Sequence, residues 1–220
     1  MNGPNSSSNE SNSPIWPELW SAFETQRTKV RDILQAVSRN PSNTLSVWGA
    51  GRTTDLDLIS LRRHYAKIEL IDLDTALTEQ ALIQRGFDEQ SNVTIAPATD
   101  VTGLDGHWKS FEDNPTETNL KAILQAIQKA TLDLGRYDVV VSTCLLSQIL
   151  KKVSRTLNES GLPSNVINEN LPRVIRAIRE KHLELIVEHT LPGGAAVLVT
   201  DLTSSEAPVS YTHLTLPTKA

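Results

Sequence analysis

Two glycines one residue apart, Gly49 and Gly51, interrupt an apolar run in the stretch SVWGAGRTTDLDL, and an acid, Asp72, stands 23 residues after the first of them. Glycine at such a joint lets the chain turn with positive φ and lets backbone approach a ligand closely, while the N-terminus of a following helix offers free N–H groups to something electron-rich. A carboxylate at the end of the next strand can accept both hydroxyls of a ribose. The pattern therefore predicts a nucleotide-like ligand, with Trp48, Gly49, Ala50 and Gly51 at its loop and Asp72 and Leu73 at its sugar. Asp74, directly before TALTE, is better placed to cap a helix. Gly-Ala-Gly alone serves equally well as turn geometry in any α/β protein.

Two further strand ends carry polar groups. In Ala98-Thr99-Asp100-Val101 the acid can take a hydrogen bond from an exocyclic amine, and the Val101 N–H can serve the adjacent ring nitrogen; a solvated loop aspartate explains the residue equally well. Ser142-Thr143-Cys144 places small polar residues where a helix opens, which suits either a ligand edge or ordinary capping. Cys144 is the one cysteine of the chain, so no intramolecular disulfide forms, and a lone buried thiol is the expectation. His182 and His189 have no cysteine or carboxylate partner at metal spacing, so no metal is assigned and both are expected at the surface or in packing. Trp16, Trp20 and Trp108 are expected to pack, with Trp108 in an insertion able to roof the site.

The elements that must position these groups alternate. An amphipathic helix over Pro17 to Ser38 precedes strand Thr44 to Trp48, helix 54 to 65, strand Lys67 to Leu73, helix 75 to 86 and strand Val93 to Ala96. A break with Gly103, Gly106 and Pro115 leads to helix Thr118 to Leu132, strand Tyr137 to Ser142 and helix 145 to 157. After a polar loop, Asn158 to Asn170, a helix over 173 to 190 ends at Pro192-Gly193-Gly194, before strand Ala195 to Leu202. Near-continuous apolar strands separated by helices predict a doubly wound, mostly parallel sheet with helices on both faces, binding its ligand at the carboxyl ends of the strands.

At 220 residues, with a formal net charge of -5 and no dense basic run, the chain reads as one domain in which a nucleic-acid-binding face is not the main feature, a short local basic contact staying open. No stretch of about 18 apolar residues offers a membrane span and the N-terminus has no signal-peptide pattern, so a soluble cytoplasmic protein is expected.

The ordered set VWGAGRTTDLDL, IELIDLDTAL, TIAPATDVTGL, YDVVVSTCLLSQI and LPGGAAVLVTDL resembles class I S-adenosylmethionine-dependent methyltransferases across roughly residues 44 to 202. The resemblance implies S-adenosyl-L-methionine as cofactor, a glycine loop at Gly49, Ala50 and Gly51, a ribose acid at Asp72, an adenine-side acid at Asp100 beside Val101, and a fourth-strand motif over Ser142 to Leu145. It implies transfer of a methyl group to an acceptor, for which a small molecule is favoured; no Asn-Pro-Pro-Tyr-type signature indicates the atom methylated. Thr53 and Thr54 follow Arg52 where a third glycine is usual, and Trp48 replaces a smaller or acidic residue. The alternatives are a catalytically inert methyltransferase-like binding domain and an NAD(P)-dependent oxidoreductase, whose fingerprint needs a glycine at Thr54.

Organisation is expected as a disordered leader over 1–13, a methyltransferase-like domain over 14–207 and a non-native tail over 208–220. About 18 residues follow Leu202, too few for the helix and two strands that normally complete the family's sheet. VSYTHLTLPTKA also resembles translated sequencing-adapter read-through. The expectation is a domain truncated after its fifth strand, with that strand an uncovered edge; the alternation of Thr, Tyr and Leu also allows one further strand.

Overall fold

The computed structural model describes residues 20–88 and 90–200 together with the backbone of 212–217. The expected leader 1–13, Trp16, the start of the leading helix and the remainder of the tail 208–220 lie outside the described residues.

β-branched residues recur along the central strands. These strands are β1 (Thr44–Trp48), β2 (Lys67–Ile71), β3 (Val93–Ile95), β4 (Tyr137–Thr143) and β5 (Thr190–Thr200), all parallel, in the order β3-β2-β1-β4-β5. β1 lies at the middle, with Leu45 opposite Ile68 of β2 on one side and Val139 of β4 on the other. Side chains alternate between the two faces. Leu45 and Val47 join Val139, Val141, Val197 and Val199 on one face, and Trp48 joins Val140, Ala196 and Leu198 on the other.

The first face is covered by α1 (Glu24–Val37), by the single turn α2 (Leu58–Leu61) and by Leu82 of α3 (Thr75–Gln84). The second is covered by α4 (Asp105–Asp113), α5 (Glu117–Lys129), α6 (Leu145–Glu159) and α7 (Ser164–Glu188). Helices on both faces of a parallel sheet are the doubly wound arrangement that the sequence predicts.

Five elements differ from the sequence reading. The helix expected over 54–65 contracts to α2, because Asp57 spends its carboxylate on the Ser60 N–H at 3.1 Å and starts the helix there. The glycine-marked break hides α4, whose Trp108 and Phe111, three residues apart, are both buried and meet edge to face. α7 begins at Ser164 and runs through Pro172. Its buried stripe of Ile167, Asn170, Val174, Ile178 and His182 leaves the exposed Pro172 outside it, so the carbonyl deprived of a donor faces water.

β5 starts at Thr190 and contains the glycine pair expected to end the preceding helix. A Cβ on Gly194 would stand 2.3 Å from the Asp138 carbonyl oxygen, so the register shift between Tyr137 and Val139 admits glycine alone there. Finally, β6 (Thr212–Pro217) pairs antiparallel with β5, from Ala195 opposite Pro217 to Thr200 opposite Thr212. The fifth strand is therefore covered, not the open edge expected, because the Thr-Leu alternation forms a strand.

Candidate functional site

Three neighbouring strands end at one cleft. Beyond β1 the chain turns at Gly49, with φ 75°, and its N–H donates to the Ile71 carbonyl at 2.9 Å. A Cβ at Gly49 would approach Leu145 Cβ to 2.7 Å, so glycine is required for conformation and for space where the loop meets the start of α6. Gly51 follows with φ 45° and open space around it.

Asp72, just beyond β2, ties that loop to its own. Its Oδ2 accepts from the Gly51 N–H at 2.8 Å and its Oδ1 from the Asp74 N–H at 2.9 Å, while its backbone carbonyl accepts from Thr99 at 3.0 Å. Each carboxylate oxygen keeps a lone pair, enough to accept two hydroxyl protons from a sugar. Asp74 caps α3, its Oδ1 accepting from the Leu77 N–H at 3.1 Å.

Beyond β3, Asp100 organises the turn into α4. Its Oδ1 accepts from the Thr102 N–H at 2.9 Å and the Thr102 hydroxyl at 2.6 Å, and its Oδ2 from the Leu104 N–H at 2.7 Å. The Val101 N–H meets no acceptor among the described residues.

Gly49, Asp72, Leu73, Asp100 and Val101 line a cleft of about 690 Å³ including its open mouth. Trp108 of α4 lines the same cleft, at the place expected of a roof. The far wall is one face of α6, carrying Leu145, Ile149, Lys152, Val153 and Thr156. Sequence reading missed this wall although its signal was present: spacings of four, three and four residues put those side chains on one helical stripe. Lys152 makes no ion pair among the described residues and is the one cation lining the cleft.

Five candidate residues stand apart from that lining. Trp48 is fully buried beneath the sheet, its Nε1 donating to Ser46 Oγ at 3.0 Å and its ring lying 6.1 Å from His182 and 5.6 Å from His189 between ring centroids. Ser142 is also fully buried, with Oγ 2.9 Å from His182 Nε2. Both point away because strand alternation turns them to the α4–α7 face. Thr143 donates its hydroxyl to the Gly49 carbonyl at 3.0 Å, and Ala50 and Gly51 shape the loop through their backbone. These residues support the loop from behind.

The histidines are core residues. His189 Nδ1 lies 3.0 Å from the Gly135 carbonyl oxygen, and neither its Nε2 nor His182 Nδ1 has a partner among the described residues. Burial pushes the His182 pKa down to about 4. Cys144, half-buried and in the left-handed conformation, precedes α6 and accepts from Gln26 Nε2 at 3.6 Å. Among the described residues no group of His, Cys, Asp and Glu could hold a metal ion, and no helix is long and apolar enough to cross a membrane.

No family model matches the sequence. No curated protein matches it either. Solved structures are similar. Human N-acetylserotonin methyltransferase in complex with SAM shares 14% identity at a TM-score of 0.43, over 86% of this chain and 38% of that one. The N-methyltransferase NodS from Bradyrhizobium japonicum shares 17% at 0.43, over 81% and 68%. An amino pentose methyltransferase from Micromonospora echinaspora, solved with SAM bound, shares 14% at 0.42, over 86% and 57%. The chain thus spans between 38% and 68% of the lengths of these proteins.

Proposed function

We propose that the cleft binds S-adenosyl-L-methionine and that the chain transfers its methyl group to an acceptor, a small molecule being favoured. The observation that carries this reading is the meeting of Gly49, Asp72 and the Asp100–Val101 turn, from three adjacent strand ends, in one cleft. Asp72, held by two backbone N–H groups, presents its remaining lone pairs to a ribose. The Asp100 carboxylate and the Val101 N–H set an acceptor beside a donor, as the edge of an adenine requires. Leu73, Trp108, Leu145 and Ile149 supply apolar surface for the base.

When bound, the cofactor supplies an already activated methyl group on a sulfonium. What remains for the protein is to hold acceptor and cofactor in line and exclude water, with proton removal where the acceptor needs it. That demand explains a site built of positioned backbone with few side chains of catalytic type.

Calorimetric titration tests the reading. Saturable binding of S-adenosylhomocysteine with no binding of NAD supports it; NAD binding alone favours the oxidoreductase, and S-adenosylhomocysteine binding without methylation of any acceptor tried favours an inert binding domain.

A further inference from the structure

The loop after Gly51 carries Thr53 where glycine would be at ease. Thr53 is 1% exposed and sits at φ 52°, a left-handed conformation that a β-branched residue keeps only where its surroundings enforce it. The enforcing groups are two arginines from different elements. Arg85, at the end of α3, donates one guanidinium nitrogen to the Thr53 hydroxyl and the other to the Arg52 carbonyl at 2.9 Å. Arg27 of α1, itself buried, donates to the Thr54 carbonyl at 2.9 Å and the Trp20 carbonyl at 2.8 Å. The Trp20 ring lies against both cations, its centroid 3.5 Å from Arg27 Cζ and 4.4 Å from Arg85 Cζ. Arg27 and Arg85 repel one another, and Asp55 and Asp57 oppose that repulsion. The aromatic face adds attraction to both guanidiniums.

We propose that Arg27, Trp20 and Arg85 are positioning residues for the cofactor: as one stack they hold residues 52–54 in the shape that presents Gly49–Gly51 to the cleft. This rests on the reading of that cleft as a cofactor site. None of the three lines the cleft. They replace the conformational freedom of a third glycine with contacts from outside the loop, and they make α1 part of the binding site. The planar fork is essential, because an ammonium cannot stack and serve two loop acceptors together as Arg85 does.

The test uses the full chain and the variants Arg85→Met, Arg85→Lys and Trp20→Leu. In the ligand-free protein, amide hydrogen exchange at Gly51 and Thr53, whose N–H groups donate to Asp72 and Ala50, is expected to accelerate at least tenfold in all three, with Arg85→Lys giving no rescue. Exchange in β1 and β4 should stay unchanged. S-adenosylhomocysteine Kd should rise about tenfold in the same variants. Unchanged loop exchange would overturn the proposal. So would equal acceleration throughout β1 and β4 in both Arg85→Met and Trp20→Leu, which would make the stack a support of the whole fold. If the unaltered chain binds no S-adenosylhomocysteine, the cofactor reading fails, while the exchange measurement still decides whether the stack holds the loop.

Discussion

Ser142 Oγ and His182 Nε2 lie 2.9 Å apart inside the molecule, and the second ring nitrogen of His182 has no partner among the described residues. A charged imidazole there would have lost its hydration without gaining a counter-ion. Folding therefore selects the neutral form.

Stability should accordingly fall with acid. The His182 pKa drops from 6.5 to about 4 on burial, so the folded state binds fewer protons than the unfolded one between those values. The stabilisation is complete above pH 6.5 and is lost as pH falls towards 4, amounting to about 3 kcal/mol. Urea unfolding of the chain and of His182→Gln at pH 7 and pH 4.5 measures it. A variant that loses as much stability over that interval as the unaltered chain would refute the assignment.

Asp72→Ala should weaken S-adenosylhomocysteine binding by about 1.5–3 kcal/mol, the scale of charge-assisted hydrogen bonds. It also strips the acceptor from the Gly51 and Asp74 N–H groups, so the loops after β1 and β2 should loosen together. Calorimetry with a folded variant decides the point; unaltered affinity would remove Asp72 from the site.

Gly49→Ala and Gly51→Ala separate conformation from space. Both positions have positive φ, so each alanine should cost about 1–2 kcal/mol. Only at Gly49 does the new methyl also meet Leu145, at 2.7 Å, which should add about 1–3 kcal/mol of overpacking. Chemical denaturation showing the two variants equally stable would contradict the close approach of loop and α6.

Asp74→Ala should lower stability by about 1 kcal/mol through loss of the α3 cap, while leaving S-adenosylhomocysteine affinity within about twofold. An affinity loss comparable to that of Asp72→Ala would mean that the two acids share the ligand.

The strands were legible because β-branched runs such as Tyr137–Thr143 can be little else, and strand ends direct attention to Asp72 and Asp100. What the sequence does not display is the side on which a strand's last residue emerges. Trp48 and Ser142 look like loop residues in one dimension, yet the two-residue repeat sends both into the α4–α7 face. Gly103, Gly106 and Pro172 mislead in the opposite direction: they are strong local breakers, but burial of Trp108, Phe111 and Val174 outweighs them. The Arg27–Trp20–Arg85 stack leaves no periodic trace, because its members come from separate elements.

The pairing of β1 with β4 has a consequence for synthesis of the chain. Thr44 reaches across to Asp138, 94 residues later, through its N–H at 2.7 Å and its hydroxyl at 2.9 Å. At a translation rate of about 5–20 residues per second, roughly 5–20 s separate the appearance of the two partners. During that interval β1 can pair with β2 alone, so the apolar flank that β4 will cover is presented to chaperones and to other nascent chains. Among the paired strands, the middle of the finished sheet therefore waits longest for its neighbour.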